Sequence, residues 1–443
     1  MEDMGQFRKQ EDRRQGYLLP PSPADWLPEG HLAWFVIDAV EQLEIDALLD
    51  SYRISGKGML AYPPRVMLAL LIYSYCTGTF SSRKIAAQIE DSLAFRVIAA
   101  GLTPSHRTIC RFREDNLDEF QRLFVQLVQI ARESGLVKMG TIAIDGSKVK
   151  GNASKRKAMS YDRMLKEEKK LRSEIRKLMK AARAQDDIDD EAFGPDFRGD
   201  ELPEELSRRK SRLAKIQEAK KRLETRKAAE AEAKRASQKK KGDDDKPDSG
   251  TREVALPKPR DQENFTDPDS RIMPRSGKSF EQGYNAQIAV DAKKQIIVAT
   301  TVTQSTNDHN QLLPVLNAAF ENTGEAAKRA LADAGYKDED DFELLEAMGV
   351  DAYVSVGREG KKAKRPKKEK PHTAAMRKKL ATKRGRARYR KRKAIVEPVF
   401  GWAKHVLGFR AFSLRGLRKV TGEWNLVCFA LNLRRMAAMG ARK

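Results

Sequence analysis

TIAIDGSKVK, residues 141–150, is an apolar and β-branched run that carries a single acidic residue, Asp145. Its branched side chains pack well on a pleated surface, and a continuous apolar run is typical of a strand that is buried on both faces. We expect Gly146 and Ser147 to end the strand and to leave Asp145 at an open edge, where a cation can offset the cost of burying the carboxylate. Taken alone, the pattern favours an Asp in a strand-end turn.

The charge of the chain points to a polyanionic partner. Its 443 residues carry a formal net charge of +23, which indicates nucleic acid first and an anionic membrane surface second. The longest apolar run, Val66–Ile72, is too short to cross a bilayer, and the first residues are charged, so we expect a cytoplasmic protein. Cys76, Cys110 and Cys428 lack metal-site spacing and are expected to be reduced core thiols.

Two different regions precede the strand. Residues 1–30 are charged and then proline-rich, which predicts a flexible arm, and residues 31–136 have a helical pattern throughout. Within the second region we expect one helix over residues 83–100, capped by Ser81 or Ser82, and another that opens at Ser105 and runs to about residue 131. The length of this region is sufficient for an all-α domain.

Basic residues cluster at the start of the helix that Ser105 opens. A helix, a short Gly-containing turn and a second helix with Arg107 and Arg111 near its start are compatible with a helix-turn-helix that sets its second helix in a major groove. Such patterns also occur in ordinary helical bundles. We predict that residues 31–136 bind DNA through Arg107 and Arg111.

Residues 154–260 are of another kind. Two charged runs with apolar residues at heptad spacing flank an acidic stretch that contains Gly and Pro, which predicts an antiparallel helical hairpin followed by a disordered linker. The hairpin is either a solvated arm or a segment that grips the DNA backbone or a second copy of the chain.

Strands return after the linker. Two strand-like runs, residues 284–290 and 295–303, flank a turn that contains Asp291 and predict a β-hairpin, with a helix from Asp308 onward. ALADAGY follows, a short apolar strand that again ends in a carboxylate, Asp333, and a helix and the strand DAYVSVG come next. This order describes an α/β mixed sheet that is covered by helices.

The C-terminal part contains a third acid in a basic setting. Residues 358–393 hold nineteen Lys or Arg against two acids, which predicts a mobile loop that contacts phosphates. The last predicted helix, residues 389–405, carries Glu397. Its simplest role would be an i,i+4 pair with Lys393, although the Pro after Glu397 is unusual for such a pair.

Asp145, Asp333 and Glu397 together suggest a metal site. Two divalent cations about 4 Å apart can activate an attacking oxygen and stabilise a leaving oxygen in phosphodiester chemistry, and Mg²⁺ prefers carboxylate ligands. We therefore predict that these three acids bind two Mg²⁺ ions, with Mn²⁺ as a substitute, and are the catalytic residues.

The chain resembles the DDE transposases of bacterial insertion sequences, whose catalytic domain has the ribonuclease-H-like fold. The motifs are AIDGSKVKGNAS, TDPDSRIM followed by GYNAQIAVD, LADAGY, and YRKRKAIVEPVFGWAKHVLGFRAFSLRG. The resemblance covers about residues 30–440. It implies that Asp145 and Asp333 are the first and second catalytic acids and Glu397 the third.

The family's helix signature spaces Tyr, Arg, Glu and Lys at intervals of three, four and seven. Glu397 and Lys404 keep the last interval, Lys393 holds the Arg position, and Tyr389 lies one residue further away than the pattern expects, with Arg392 adjacent to Lys393. The resemblance implies DNA contacts for Tyr389, Arg392, Lys393 and Lys404.

Together these observations predict a ribonuclease-H-like α/β catalytic domain over residues 137–153 and 261–443, preceded by the all-α domain and interrupted by the charged hairpin. The predicted function is a Mg²⁺-dependent transposase that cuts the ends of its element and joins them to target DNA. The partners would be double-stranded DNA, both terminal repeats and target, and a second copy of the chain in the DNA complex. A nuclease without joining activity and a non-catalytic DNA-binding descendant are the alternatives.

Overall fold

The computed structural model describes residues 27–50, 60–193, 204–239, 255–275, 279–357 and 369–440, together with Ser22 and Asp25. Most of the predicted flexible arm, most of the predicted disordered linker and the first part of the predicted basic loop lie outside the described residues. Across the described ranges, no helix is both long and apolar enough to cross a membrane.

A mixed sheet lies at the centre of the chain. Its strands are β1 (Ile142–Lys150), β4 (Arg271–Pro274), β5 (Phe280–Asp291), β6 (Ile297–Thr303), β7 (Arg329–Ala332) and β8 (Asp351–Val354). The spatial order is β4-β5-β1-β7-β8, and β6 pairs with the same edge of β5 as β4. β1 is antiparallel to β5 and parallel to β7, and β7 is parallel to β8. This is the mixed sheet of a ribonuclease-H-like fold, as predicted.

The prediction that β1 ends at Gly146 is wrong. β1 stays paired with β5 until Lys150, which lies opposite Gly283, so Asp145 is in the middle of the strand. Its other neighbour, β7, pairs only with Ile142 and Ala143. Asp145 therefore still lies at an open edge, because β7 stops and not because β1 does.

Seven helices of the described residues precede the sheet in the chain, and five follow its central hairpin. The first set is α1 (Leu32–Glu41), α2 (Asp46–Asp50), α3 (Pro64–Cys76), α4 (Ser82–Asp91), α5 (Leu93–Ile98), α6 (His106–Asp115) and α7 (Leu117–Glu133). The later set is α10 (Leu312–Thr323), α11 (Glu339–Ala347), α12 (Pro371–Ala381), α13 (Lys383–Gly401, extended by a π-helical turn, Trp402–Val406) and α14 (Leu417–Gly440).

Both long helices predicted in the N-terminal region are divided. Ser92 has an extended backbone, φ −121° and ψ 125°, and separates α4 from α5. Asn116 separates α6 from α7, and its side-chain amide donates a 2.7 Å hydrogen bond to the carbonyl of Phe112. A side-chain amide that bonds the backbone in this way competes with the helical ladder.

The charged insertion forms the predicted hairpin. Its helices α8 (Tyr161–Phe193) and α9 (Glu204–Lys239) leave and rejoin the body through a small sheet of β2 (Ala158–Ser160) and β3 (Gln262–Asn264). Met164, Leu171, Ile216 and Ala219 form a small apolar core between the helices. Glu168 accepts hydrogen bonds from Lys220 and Arg172, among others, and these cations lower the pKa of its carboxyl to about 2.

The prediction of a mobile loop over residues 358–393 is wrong for residues 369–393, the part of it that the structure describes. α12 occupies part of it, and α13 begins at Lys383, six residues before the expected start of the last helix. Acidic residues of the sheet domain hold these helices: Glu339 accepts hydrogen bonds from the backbone at the start of α12, and Asp351 of β8 pairs with Lys379 and Arg388. A local charge count cannot reveal such distant counter-ions.

α14 joins the helical region to the sheet. It was not among the predicted helices, and it is buried along nearly continuous stretches, so it lacks the polar face of a surface helix. It packs against α3 and α7 on one side and against β6 on the other, within one continuous apolar core. The apolar faces of residues 31–136 are thus completed by the C-terminal end of the chain.

Gly422 sets how closely α14 approaches α7. A Cβ on Gly422 would lie 2.9 Å from the Cβ, Cδ2 and carbonyl oxygen of Leu117. We expect Gly422→Ala to lower the free energy of unfolding by about 1–3 kcal/mol, because overpacking outweighs the helix propensity gained. Thermal and urea denaturation would measure this.

Gly440→Ala is the matched control, since Gly440 lies in the same helix and an added Cβ would have no atom within 4 Å. It should leave stability unchanged or raise it slightly. Equal effects of the two substitutions would show that the contact between α7 and α14 is looser than described.

Candidate active site

Asp145 and Asp333, the two aspartates predicted near strand ends, are brought together by the sheet. Leu331 of β7 pairs with Ala143 of β1 in parallel register, and each aspartate follows its strand's paired residue by two positions. Neighbouring strands lie about 4.8 Å apart, so the two carboxylates emerge side by side at one edge. Their proximity is visible in the electrostatics, because the charge of Asp333 helps to raise the pKa of Asp145.

Burial makes Asp145 a weak acid. Desolvation and then the repulsion of Asp333 raise the pKa of Asp145 to about 6. Arg392 of α13 opposes both effects: its Nη1 lies 3.2 Å from Oδ2 of Asp145, and its side chain is only 7% exposed. Arg392 therefore favours the ionised form of a carboxylate that would otherwise be largely protonated at slightly acidic pH.

Asp333 is fixed by the turn that it opens. Its carboxylate accepts a 2.8 Å hydrogen bond from the backbone N–H of Gly335, which caps the short 3₁₀ turn of residues 334–336. Burial nevertheless raises the pKa of Asp333 above its usual value. Both aspartates thus carry an electrostatic cost that a cation between them would relieve.

Glu397 does not join this pair in the structure. It is exposed on α13, five residues after Arg392. Five residues turn an α-helix by about 140°, so a helix that directs Arg392 at Asp145 directs Glu397 elsewhere. Among the described residues, no three Asp, Glu, His or Cys side chains lie close enough together to hold a metal ion. The donors assembled here are two carboxylates, which suit Mg²⁺ by charge and by oxygen type.

Asp308 is an acid at this site that the sequence analysis placed only at the start of a helix. Its Oδ1 accepts hydrogen bonds from Asn285 and Gln287, both at 2.7 Å, and lies 3.1 Å from Nζ of Lys148. Its charge contributes to the raised pKa values of Asp145 and Asp333. The β-hairpin of β5 and β6 could have predicted this position of Asp308, because its second strand runs back toward the end of the sheet where Asp145 lies.

Two glycines make room for Asp308. A Cβ on Gly146 would lie 2.7 Å from Oδ1 of Asp308 and 2.3 Å from Nε2 of Gln287. A Cβ on Gly335 would lie 3.1 Å from Oδ2 of Asp308 and 3.0 Å from Oδ1 of Asp333. The carboxylate of Asp308 is thus held between the backbone segments that follow the two paired aspartates.

The predicted DNA contacts on α13 and its π-helical turn are in different environments. Lys404 bonds the hydroxyl of Ser147, two residues after Asp145, while Arg392 is buried against Asp145. Tyr389 is half-buried and interacts with Arg392, and Lys393 is exposed. Arg392 and Lys404 therefore lie at the candidate site, and the structure ties Arg392 to a carboxylate rather than presenting it to solvent.

Arg107 and Arg111 lie on the exposed face of α6. Ser105 caps α6, as predicted, by accepting a hydrogen bond from the N–H of Thr108. Arg111 pairs with Asp115, but both side chains are mostly exposed, so this pair is weak. α4 packs against α6, which leaves the arginines free of the core.

Comparisons with known proteins agree with these features. The family described as "Transposase DDE domain" matches residues 254–433, and the family described as "Transposase domain (DUF772)" matches residues 21–115. No curated protein and no solved structure matches the chain. The first match contains Asp333 and Glu397 but not Asp145, which the sheet nevertheless places beside Asp333.

Two substitutions should shift the pKa of Asp145 in opposite directions. Arg392→Gln removes the nearby cation, so the pKa should rise above about 6, whereas Asp308→Asn removes a negative charge and should lower it. Carbon-13 NMR titration of labelled aspartate in the metal-free protein would measure both. In the wild type, Asp145 should lose its proton as the pH rises through about 6.

Arg390→Gln is the control, because Arg390 is exposed on the same helix. It removes the same charge and should leave the pKa of Asp145 nearly unchanged, since exposed charges are screened. A fall in the pKa with Arg392→Gln would contradict the arrangement.

Proposed function

We propose that this chain, which belongs to the DDE transposases of insertion sequences, cuts the ends of its element and joins the freed 3′-hydroxyl to target DNA by Mg²⁺-dependent phosphoryl transfer. The observation that carries the proposal is the pair of buried carboxylates, Asp145 and Asp333, at one edge of a ribonuclease-H-like sheet. The chain as a whole carries a formal net charge of +23, which suits a polyanionic substrate.

The residues of the site have distinct roles in this proposal. Asp145 and Asp333 would hold the metal, for which Mn²⁺ is a substitute. When bound, a divalent cation supplies activation of the attacking oxygen and neutralises charge on the leaving oxygen. Arg392 keeps Asp145 ionised despite its burial, and a carboxylate must be ionised to bind a metal ion. Lys404, which bonds the hydroxyl of Ser147, offers a positive charge to the DNA backbone near the pair.

Two residues, Glu397 and Asp308, are candidates for the third metal-binding acid. The resemblance supplies Glu397, which would have to turn toward the pair through a change in α13. Asp308 already lies beside the pair, although its Oδ1 is engaged by Lys148, Asn285 and Gln287. Calorimetric titration of Mn²⁺ into Glu397→Gln and Asp308→Asn, each bound to end DNA, separates them. We expect Glu397→Gln to weaken Mn²⁺ binding more, since a free carboxylate is the better ligand.

Replacing either paired aspartate should abolish the chemistry. We expect Asp145→Ala and Asp333→Ala each to lower the rate of DNA cleavage at least about 100-fold, because metal stabilisation of the transition state is worth several kcal/mol. Binding to end DNA should change little, since phosphate contacts come from other residues. Gel assays of cleavage and of strand transfer, with fluorescence anisotropy for binding, would measure these effects.

Asp291→Asn is the control for the acids. Asp291 is buried at the other end of β1, opposite Ile142, where it accepts hydrogen bonds from backbone N–H groups that an Asn oxygen can also accept in part. It should retain cleavage. Cleavage without any joined product would favour the nuclease alternative, and normal activity of Asp333→Ala would remove that residue from the site.

Two DNA-contact surfaces should separate in a binding experiment. Arg107→Gln and Arg111→Gln should lower the preference for the element's end over random DNA by about 1–3 kcal/mol per base-reading contact. Neutralising the exposed Arg384, Arg386 and Arg390 of α13 should instead flatten the salt dependence of binding to any DNA, by about 0.9 in the log-log slope per contact.

Arg122→Gln is the control, because Arg122 is exposed and already paired with Glu119. If both α6 variants keep the wild-type preference for the element's end over random DNA, recognition of the end lies outside α6. We further propose that double-stranded terminal repeats and target DNA are the partners, and that two copies of the chain act together on DNA.

A further inference from the structure

A cavity of about 440 Å³ opens beside the candidate site. We call it the basic cavity, and it is lined by Ser147, Lys148, Pro274, Arg275, Lys404, His405 and Arg410. These residues come from β1, from the end of β4 with the residue after it, and from the π-helical turn of α13 with the segment that follows that turn. Four of the seven are Lys or Arg and none is acidic, so the fold gathers cations from three separate parts of the chain.

Gathering these charges has an electrostatic cost that the chain offsets only in part. Lys148 has Asp308 as a counter-ion at 3.1 Å, and Arg275 lies 2.8 Å from Glu281. Within the described residues, the hydrogen bonds of Lys404 and Arg410 go to neutral groups: Lys404 bonds the Ser147 hydroxyl, and Arg410 donates a 3.2 Å hydrogen bond to the carbonyl of Lys404. Burial and then the charge of Arg275 lower the pKa of Lys404, while the charge of Asp145 acts to raise it.

The position of the basic cavity relative to the acids identifies its ligand. Ser147 follows Asp145 by two residues, so both side chains are on the same face of β1, about 6.7 Å apart along the strand. A DNA strand rises about 3.4 Å per nucleotide. A phosphate bound in the basic cavity would therefore lie one or two nucleotides from a phosphate at Asp145 and Asp333.

We propose that the basic cavity binds one backbone phosphate of the element's end, one or two nucleotides from the phosphate that is cut. The proposal rests on the proposed function, because it takes the aspartate pair as the place of cleavage. Arg275 and Arg410 present planar groups that can bond two phosphate oxygens, and Lys148 and Lys404 contribute point charges. The contact fixes the register of the strand, and hence which phosphodiester meets the acids.

Single neutral phosphates test this directly. A duplex that carries the end of the element would be made with one methylphosphonate at each position within three nucleotides of the cut, and its binding measured by anisotropy in the presence of a chelator. For the wild type, one neutral linkage should weaken binding about tenfold, the loss expected for one charge-assisted contact. In Arg275→Gln and Arg410→Gln the same linkage should cause no further loss.

Arg418→Gln is the matched control, since Arg418 is exposed on α14 and paired with Asp118. It should keep the full tenfold sensitivity to the neutral linkage. Both cavity arginines are exposed, so their variants should melt at the temperature of the wild type, which separates lost binding from lost folding.

The outcomes distinguish this proposal from the proposed function. If every linkage weakens binding to the variants as much as to the wild type, the basic cavity holds no phosphate there. If the coupling is found and no cleavage occurs with Mg²⁺, the basic cavity stands and the assignment of the activity fails. Coupling at a linkage more than two nucleotides from the cut would overturn the stated register.

Discussion

The structure depends on one costly contact, the placing of two carboxylates side by side where β7 ends against β1. Parallel pairing fixes their positions, and burial deprives them of water, so each resists ionisation. The rest of the site offsets this cost: Arg392 lies against Asp145, a backbone N–H bonds Asp333, and Lys148 balances Asp308. Two buried carboxylates this close together would be stabilised by a bound cation. The basic cavity opens beside the same edge of the sheet.

The features that the sequence predicted correctly are those decided by neighbouring residues. The branched run around Ile142 made a strand, the two runs beside Asp291 made a hairpin, and the heptads of α8 and α9 paired. The sequence also singled out Asp145 and Asp333 as acids carried by apolar strands, and the pairing of β1 with β7 brings them together. Their role as metal ligands stays a prediction. The register between β1 and β7 was not predictable, because the two strands lie far apart in the chain.

The features that the sequence did not reveal come from interactions between residues far apart in the chain. Nothing near Arg392 in sequence shows that it turns to Asp145, 247 residues earlier, and the helix phase that this contact sets is what carries Glu397 away. Asp308 looked like the start of a helix because its partners, Lys148 and Asn285, lie on two other strands. The basic run of α12 and α13 looked unstructured because the acids that hold it lie elsewhere in the chain: Glu339 accepts hydrogen bonds from the start of α12, and Asp351 pairs with Lys379.

The position of α14 has a consequence for how the protein is made. Its buried residues complete a core to which α3 and α7 also belong, and it is the last described element of the chain. During synthesis the N-terminal helices leave the ribosome first but find this packing partner only after the strands that carry the acids have been made. A prematurely terminated chain would expose the apolar faces of α3 and α7 and would be open to aggregation and proteolysis. The fold thereby makes the stability of the N-terminal helices depend on synthesis of the later segments that carry the acids.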